Sequence, residues 1–477
     1  IHNVAMIIGR NEEQHKLQEA FDSEYSEFVV VYGRRRVGKT FLIREHFNYK
    51  FTFTHTGLAK KNTRQQLQNF QLSLHRQGYA KAPLPGNWLE AFDMLATLVE
   101  HSKDKRKVVF IDEMPWMDAP RSSFLSALEH FWNGFASSRK DILLIACGSA
   151  TAWITKKLLK NKGGLHNRLT YRIHLSPFTL SECERYAKWQ RLGMNRKQLM
   201  EGYMALGGIP YYWSLLDKSK SLAQNIDTLF FSKRGELRNE YNELYASLFN
   251  HPDKYLAIIE ALGKKKVGMT RAEIVSVSGL VDNGKLSEML DELEDCEFIR
   301  KYNVIGQKAK GAMFQLIDSF TLFYFKFIAG NPVNDEHFWS KSIDTPPYIN
   351  WCGLAFERVC LLHSRQIKAK LGVSGVISSE YAWWTGKNEG GNGAQIDLLI
   401  DRNDGVINLC EMKFTKVPFV IDAGYDADLQ NKRAMFVEHT HTQKAVHITM
   451  VCAQGLVRNS YADEIQNVVE GNDLFAE

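Results

Sequence analysis

FVVVYGRRRVGKTFLIREHF, residues 28–47, is the stretch that decides the fold. Phe28–Tyr32 is an apolar, β-branched run of the kind that makes a buried parallel strand, and Phe41–Phe47 suits a helix. Between them, Gly33-Arg34-Arg35-Arg36-Val37-Gly38-Lys39-Thr40 fits G-x-x-x-x-G-K-S/T in the strand-to-helix setting that the pattern requires. The glycines let the loop's backbone N–H groups curl around a β-phosphate, and the helix N-terminus adds its positive end. Lys39 is spaced to reach the β- and γ-phosphates, and Thr40 to ligate Mg²⁺. ATP and Mg²⁺ are therefore the expected ligands of the loop from Gly33 to Thr40.

Two further runs read the same way. Val108–Asp112, followed by Glu113, is a strand ending in two acids. Asp112 is expected to hold Mg²⁺, mostly through water, and Glu113 to orient the attacking water. Ile142–Gly148 ends at Ser149, a small polar group suited to sensing a γ-phosphate, although an ordinary strand-to-turn transition explains it as well. Apolar strand runs alternating with helical stretches predict an α/β parallel sheet over residues 1–178.

The bulk composition agrees with this. At 477 residues the chain is long enough for about three domains of roughly 150 residues each. With 44% hydrophobic and 24% charged residues it has a globular mix. A net charge of +6 permits nucleic-acid binding without arguing for it. Cys147, Cys183, Cys296, Cys352, Cys360, Cys410 and Cys452 form no CxxC pair, so neither a disulfide framework nor a zinc site is expected. Reduced thiols fit a cytoplasmic protein. The longest apolar runs fall well short of the about 20 residues that cross a bilayer. Ile1-His2-Asn3-Val4 opens no secretory signal pattern, so no membrane partner is expected.

Residues 179–250 read as helical, a lid, broken at Gly207-Gly208-Ile209-Pro210. Residues 251–330 read as three helices and a β-hairpin, the winged-helix pattern. Its third helix, Lys285–Cys296, sets one lysine against Glu288, Asp291, Glu292, Glu294 and Asp295, a poor face for a polyanion. Its wing is basic, with Arg300, Lys301, Lys308 and Lys310. Both readings stand: packing against protein, or DNA contact through the wing. Residues 331–350, with Pro332, Pro346 and Pro347, read as a linker.

Residues 351–477 carry a second candidate site. Gln395–Ile400 is a strand with Asp397 inside it, and Asn408–Lys413 a strand carrying Glu411 and Lys413 on one face. A short loop joins them, so Asp397 can lie beside Glu411. Two adjacent carboxylates repel, and Mg²⁺ or Mn²⁺ would relieve this and activate a water against a phosphodiester, with Lys413 orienting it or stabilising developing charge. Glu357, on the preceding helix Leu354–Ser364, could complete the set. The alternative is a retained fold whose acids are merely structural.

The order of these features resembles a known family: Gly9-Arg10-x-x-Glu13, the phosphate loop, the Asp-Glu strand, the Gly-Ser strand end and Gly-Gly-x-Pro. It is similar to the AAA-type ATPases of archaea and bacteria, relatives of the origin-recognition and STAND ATPases. The resemblance implies that Gly9 and Arg10 lie near the nucleotide's base and ribose. It implies an arginine finger, for which Arg168 fits best and Arg172 second, and with it a homo-oligomer. Asp397…Glu411-x-Lys413 after a helical glutamate resembles the PD-(D/E)xK nucleases, with Ile396 where many members have proline; the Gly390–Gly393 turn supports the likeness. The expected fold is a P-loop NTPase parallel sheet with a helical lid, a winged-helix domain and a C-terminal α/β restriction-endonuclease-like domain. The expected function is an ATP-hydrolysing switch controlling a metal-dependent, DNA-acting nuclease-like domain. The rival is a signalling or scaffolding ATPase that binds DNA or protein without cleavage.

Overall fold

The computed structural model describes residues 6–160, 163–165, 167–249, 251–305, 312–329, 335–385 and 393–477. The chain divides into two compact units, 1–176 and 177–477.

In the first unit, β1 (Glu27–Tyr32), β2 (Phe53–Thr56), β3 (Lys107–Asp112), β4 (Ile142–Gly148) and β5 (Tyr171–His174) form one sheet. The order is β2-β3-β4-β1-β5 and every pairing is parallel. The three interior strands are the runs that the sequence marks as buried. The edge strands β2 and β5 are short and carry half-exposed or exposed polar residues. Helices Thr63–Arg76, Trp88–His101 and Phe124–Gly134 contribute to a core with β1, β3 and β4. Trp88 meets Phe70 and Phe124 edge-on, with ring centroids 5.6 and 5.0 Å apart. Because the strands are parallel, the C-terminal ends of β1, β3 and β4 share one edge, where an open parallel sheet places its ligands.

The second unit opens with helices Leu180–Gln190, Arg196–Leu206 and Pro210–Ser214. Helices Pro252–Gly263, Arg271–Ser278 and Gly284–Asp295 follow. A small antiparallel sheet accompanies them, built from β6 (Met269–Thr270), β7 (Ile299–Tyr302) and β8 (Met313–Leu316) in the order β6-β8-β7. The wing lysines Lys308 and Lys310 lie outside the described residues, as do Pro332 and Gly390–Asn392.

One expectation fails here. Pro346 and Pro347 do not sit in a linker; they open the 17-residue helix Pro346–Leu362. Proline suits a first helical turn, where its missing N–H has no intrahelical partner to lose. This helix packs against the final sheet, composed of β9 (Ser378–Thr385), β10 (Ala394–Arg402), β11 (Val406–Lys413), β12 (Ala445–Cys452) and β13 (Asn467–Glu470). The order is β13-β12-β11-β10-β9; β9, β10 and β11 are antiparallel, and β11, β12 and β13 parallel. All seven cysteines are buried and free. Among the described residues no helix is long and apolar enough to cross a membrane.

Candidate functional site

The loop after β1 owes its shape to two glycines. A Cβ on Gly33 would lie 2.3 Å from the carbonyl oxygen of Leu175, so β1 and the segment after β5 close there without room for a side chain. Gly38 has φ 92°, which side chains rarely adopt, and directly precedes the helix Lys39–His46. Arg36 also takes a left-handed conformation, at φ 72°. Val37 and Arg34 are buried, each 1% exposed, while Arg35 and Arg36 are half-buried.

Lys39 is buried, and its ammonium donates to the carbonyls of Gly33 and Arg34, each at 2.8 Å, which holds it over the loop. Thr40 Oγ1 donates to Asp112 Oδ2 at 2.9 Å. The sheet therefore brings together a hydroxyl and a buried carboxylate, the oxygen donor set that a hard cation takes, and these residues fit Mg²⁺. Arg44 lies one helical turn beyond Thr40, with Nη2 4.0 Å from the same Asp112 oxygen. It went unmarked in the sequence, although its i+4 spacing from Thr40 placed it on that face.

Glu113 has φ 47°, which aims its side chain away from the line of β3. Its carboxylate accepts from the Ser149 hydroxyl at 2.6 Å and from the Ser149 N–H at 3.3 Å. The acid that follows β3 and the serine that follows β4 are thus one hydrogen-bonded pair. Gly9 and Arg10 both have positive φ, 65° and 58°. The Arg10 guanidinium donates to the Ser176 carbonyl at 2.7 Å, beside the chain segment that crosses Gly33.

Arg168 is exposed and stands elsewhere. The N–H of Thr170 donates to Phe28 O, and Thr170 Oγ1 accepts from the Phe28 N–H, so this segment lies at the start of β1. The phosphate loop is at the other end of that strand, roughly 17 Å along it at about 3.3 Å per residue. Arg172 is exposed on the edge strand β5.

The C-terminal candidates are only partly gathered. Register places Leu398 opposite Cys410, so Asp397 and Glu411 follow at the adjoining positions. Glu411 is occupied, with Lys432 at 2.8 Å, the Tyr425 hydroxyl at 3.2 Å and Lys413 at 3.5 Å. Asp397 accepts from Gln395 Nε2 at 2.7 Å. Glu357 is 15% exposed and pairs with Lys266 at 2.8 Å. Burial first, and then the charge of Asp397, raise the Glu357 carboxyl above its ordinary range. Its Oε2 is buried with no hydrogen-bond partner among the described residues. Glu357 thus keeps one unpartnered oxygen, while Glu411 has its countercharge already. No group of three His, Cys, Asp or Glu that could hold a metal occurs among the described residues. Lys266 and Lys432 had no signal in the sequence, since each pairs across a long loop or between elements.

Residues 8–216 match the model of an ATPase domain found predominantly in Archaea. This match supports a P-loop ATPase domain over those residues. An uncharacterized protein of Methanocaldococcus jannaschii is 26% identical over 436 residues, 86% of this chain and 88% of the relative. An uncharacterized ATP-binding protein of the same organism is 34% identical over 50 residues, 10% of this chain and 85% of that one. Among solved structures, a Walker-type ATPase of Pyrococcus abyssi superposes with a TM-score of 0.48 at 18% identity, over 67% of this chain and 96% of that chain.

Proposed function

We propose that this ATPase is a switch in which the nucleotide cycle of residues 1–176 controls a metal-dependent, nuclease-like domain around β9–β13. In the nucleotide site, Lys39 and the backbone of residues 33–38 hold the phosphates, and Thr40 and Asp112 hold Mg²⁺. Held there, Mg²⁺ would supply charge neutralisation at the phosphates. Glu113 orients the attacking water, and Ser149 fixes the Glu113 carboxylate. Gly9 and Arg10 border the nucleotide's base and ribose.

The observation that carries the coupling is the union of the lid helices with the C-terminal domain. The N–H of Leu180 donates to His363 Nε2 at 3.0 Å, while His363 Nδ1 donates to Val359 O at 2.8 Å. Burial lowers the His363 pKa to about 4, so the ring stays neutral and keeps its acceptor. Arg196 lies over the Phe475 ring at 4.8 Å and donates to Asn472 O at 3.4 Å. A shift of the lid is thereby a shift of the effector.

In that effector, Asp397 and Glu357, with Glu411 once released from Lys432, would hold Mg²⁺ or Mn²⁺, which would supply an activated water, and Lys413 would steady developing charge on a phosphodiester. We read residues 251–330 as a winged helix that packs against protein. Glu292 and Glu294 of its third helix are committed to the Tyr255 hydroxyl and the Lys301 N–H. Arg300 is turned onto the Tyr302 ring and Gln315. The test is cleavage of plasmid and single-stranded DNA by the intact chain with Mn²⁺, with and without ATP. Loss of cleavage in Asp397→Ala is the expected result. Cleavage unaffected by that change sinks the assignment of these residues.

The scaffolding alternative is favoured by one observation, the full occupation of Glu411 by Lys413, Lys432 and Tyr425. In that case DNA or a protein binds without cleavage, and Asp397→Ala changes stability alone.

The position of Arg168 suits a finger that serves a neighbouring copy of the chain. Arg168→Ala should then bind ATP normally and lose ATPase activity. Mixing it with Lys39→Ala protein should restore part of that activity, because one interface pairs a sound loop with a sound finger. No rescue over a range of concentrations counts against action between copies.

A further inference from the structure

We infer that Gln66 is a positioning residue for ATP hydrolysis: it fixes the turn after β3 and, through it, the direction from which the Glu113 carboxylate meets the attacking water. The inference rests on the reading of Glu113 as the group that orients that water.

Gln66 lies on the helix Thr63–Arg76, in the row with Phe70 and Leu74 that faces the core, and it is 0% exposed. An amide buried there costs stability unless its polar atoms find partners. Its Nε2 donates to Leu58 O at 2.6 Å and to Trp116 O at 2.8 Å, and its Oε1 accepts from the Leu58 N–H at 3.0 Å. One side chain therefore joins two backbone segments, the loop after β2 and the turn after β3. An apolar residue would fill this row without the cost of burying an amide. What the glutamine adds is the tie between the two segments.

The turn that Gln66 grips is the one that shapes Glu113. Met114–Met117 forms a single tight helical turn, and the Trp116 N–H donates to Glu113 O at 3.1 Å. Glu113 holds φ 47°, a left-handed backbone that a side chain keeps only where its surroundings impose it. Those surroundings are close on both sides. A Cβ on Gly57 would lie 2.5 Å from Glu113 O, and one on Gly148 would lie 2.6 Å from Pro115 Cδ. The Gly57 N–H also donates to Asp112 O at 2.9 Å, which carries the β2–β3 pairing up to the acids. The turn is thus wedged between the ends of β2 and β4, and Gln66 fastens it on the β2 side. Without that tie the turn can relax toward an ordinary backbone and swing the Glu113 carboxylate away from Ser149. The bonds of Gln66 go to Leu58 and Trp116 rather than to the loop from Gly33 to Thr40, so ATP affinity is expected to stand.

The test compares steady-state ATP hydrolysis and calorimetric ATP affinity in the intact native chain, Gln66→Met, Glu113→Gln and the double variant. Methionine keeps the length of the side chain and removes all three bonds. Gln66→Asn, which withdraws the amide by one methylene, is the second variant if the first unfolds. The kcat of the Gln66 variant should fall by about tenfold or more, with ATP affinity within about twofold of native, since a small misplacement of a reacting group is costly. The double variant should be about as slow as Glu113→Gln alone, because Gln66 acts through that carboxylate. A general loosening of the fold would instead lower affinity too, or multiply with the loss in Glu113→Gln, and either result overturns the inference. Native kcat in the Gln66 variant beside a slow Glu113→Gln also overturns it and leaves the role of Glu113 standing. Native kcat in Glu113→Gln removes that role, and the inference falls with it.

Discussion

Lys39→Ala is expected to weaken ATP binding at least tenfold, about 1.4 kcal/mol, and to abolish turnover with it. Lys39 is 4% exposed, and its ammonium is already anchored on the Gly33 and Arg34 carbonyls. That charge is held against the loop that would receive the phosphates, so its removal would take away their nearest buried cation. Because the ammonium also bonds the loop's own carbonyls, circular dichroism checks that the fold stays intact. Calorimetry with ATP and Mg²⁺ reads the result; undiminished affinity would refute the role assigned to the loop.

A change confined to turnover is expected for Glu113→Gln. Glutamine keeps the size of the side chain and an oxygen for the Ser149 hydroxyl, at 2.6 Å in the native pair. What disappears is the negative charge that would orient the attacking water. Hydrolysis should fall by roughly a hundred- to ten-thousand-fold, the usual worth of a positioned acid–base group, while ATP still binds. Steady-state release of phosphate, measured beside nucleotide affinity, separates the two effects. Turnover equal to that of the native chain would make Glu113 a structural residue and pass the task to Asp112 or another group.

The loop from Gly33 to Thr40 was legible because its geometry is local. A glycine against Leu175 O and another at φ 92° restrict residue type at fixed spacing, so the constraint is written into neighbouring letters. Interior strands were legible for a similar reason: β1, β3 and β4 are buried along their length and read as apolar runs. The edge strands β2 and β5 read FTHT and YRIH, and half-exposed strands need no such run. Pro346 and Pro347 misled because proline ends helices and also begins them, and the letters alone do not say which side the helix lies on. In the C-terminal domain the acids were visible, but the partners that decide their chemistry were not. Lys432 reaches Glu411 from a helix, and Lys266 reaches Glu357 from another sheet's module. Such pairings depend on tertiary packing, which leaves no periodic trace. The acidic helix Gly284–Asp295 looked unfit for a polyanion on count; two of its acids are consumed inside the module.

The boundary after Ser176 limits how the gene can be dissected or recombined. A fragment ending at 250 would keep the helices from Leu180 onward while discarding what covers them. Leu180 would lose His363, and Tyr212 would lose the Phe320 ring that sits 5.1 Å away. Tyr203, buried beside His363, and Tyr245, bonded to Thr321, would be bared as well. Such a piece invites aggregation through fresh aromatic surface. A cut between Ser176 and Pro177 severs none of these contacts. In a chimera, therefore, the helices from Leu180 onward are inherited with the C-terminal sheet, and a graft that replaces one without the other must rebuild that shared core.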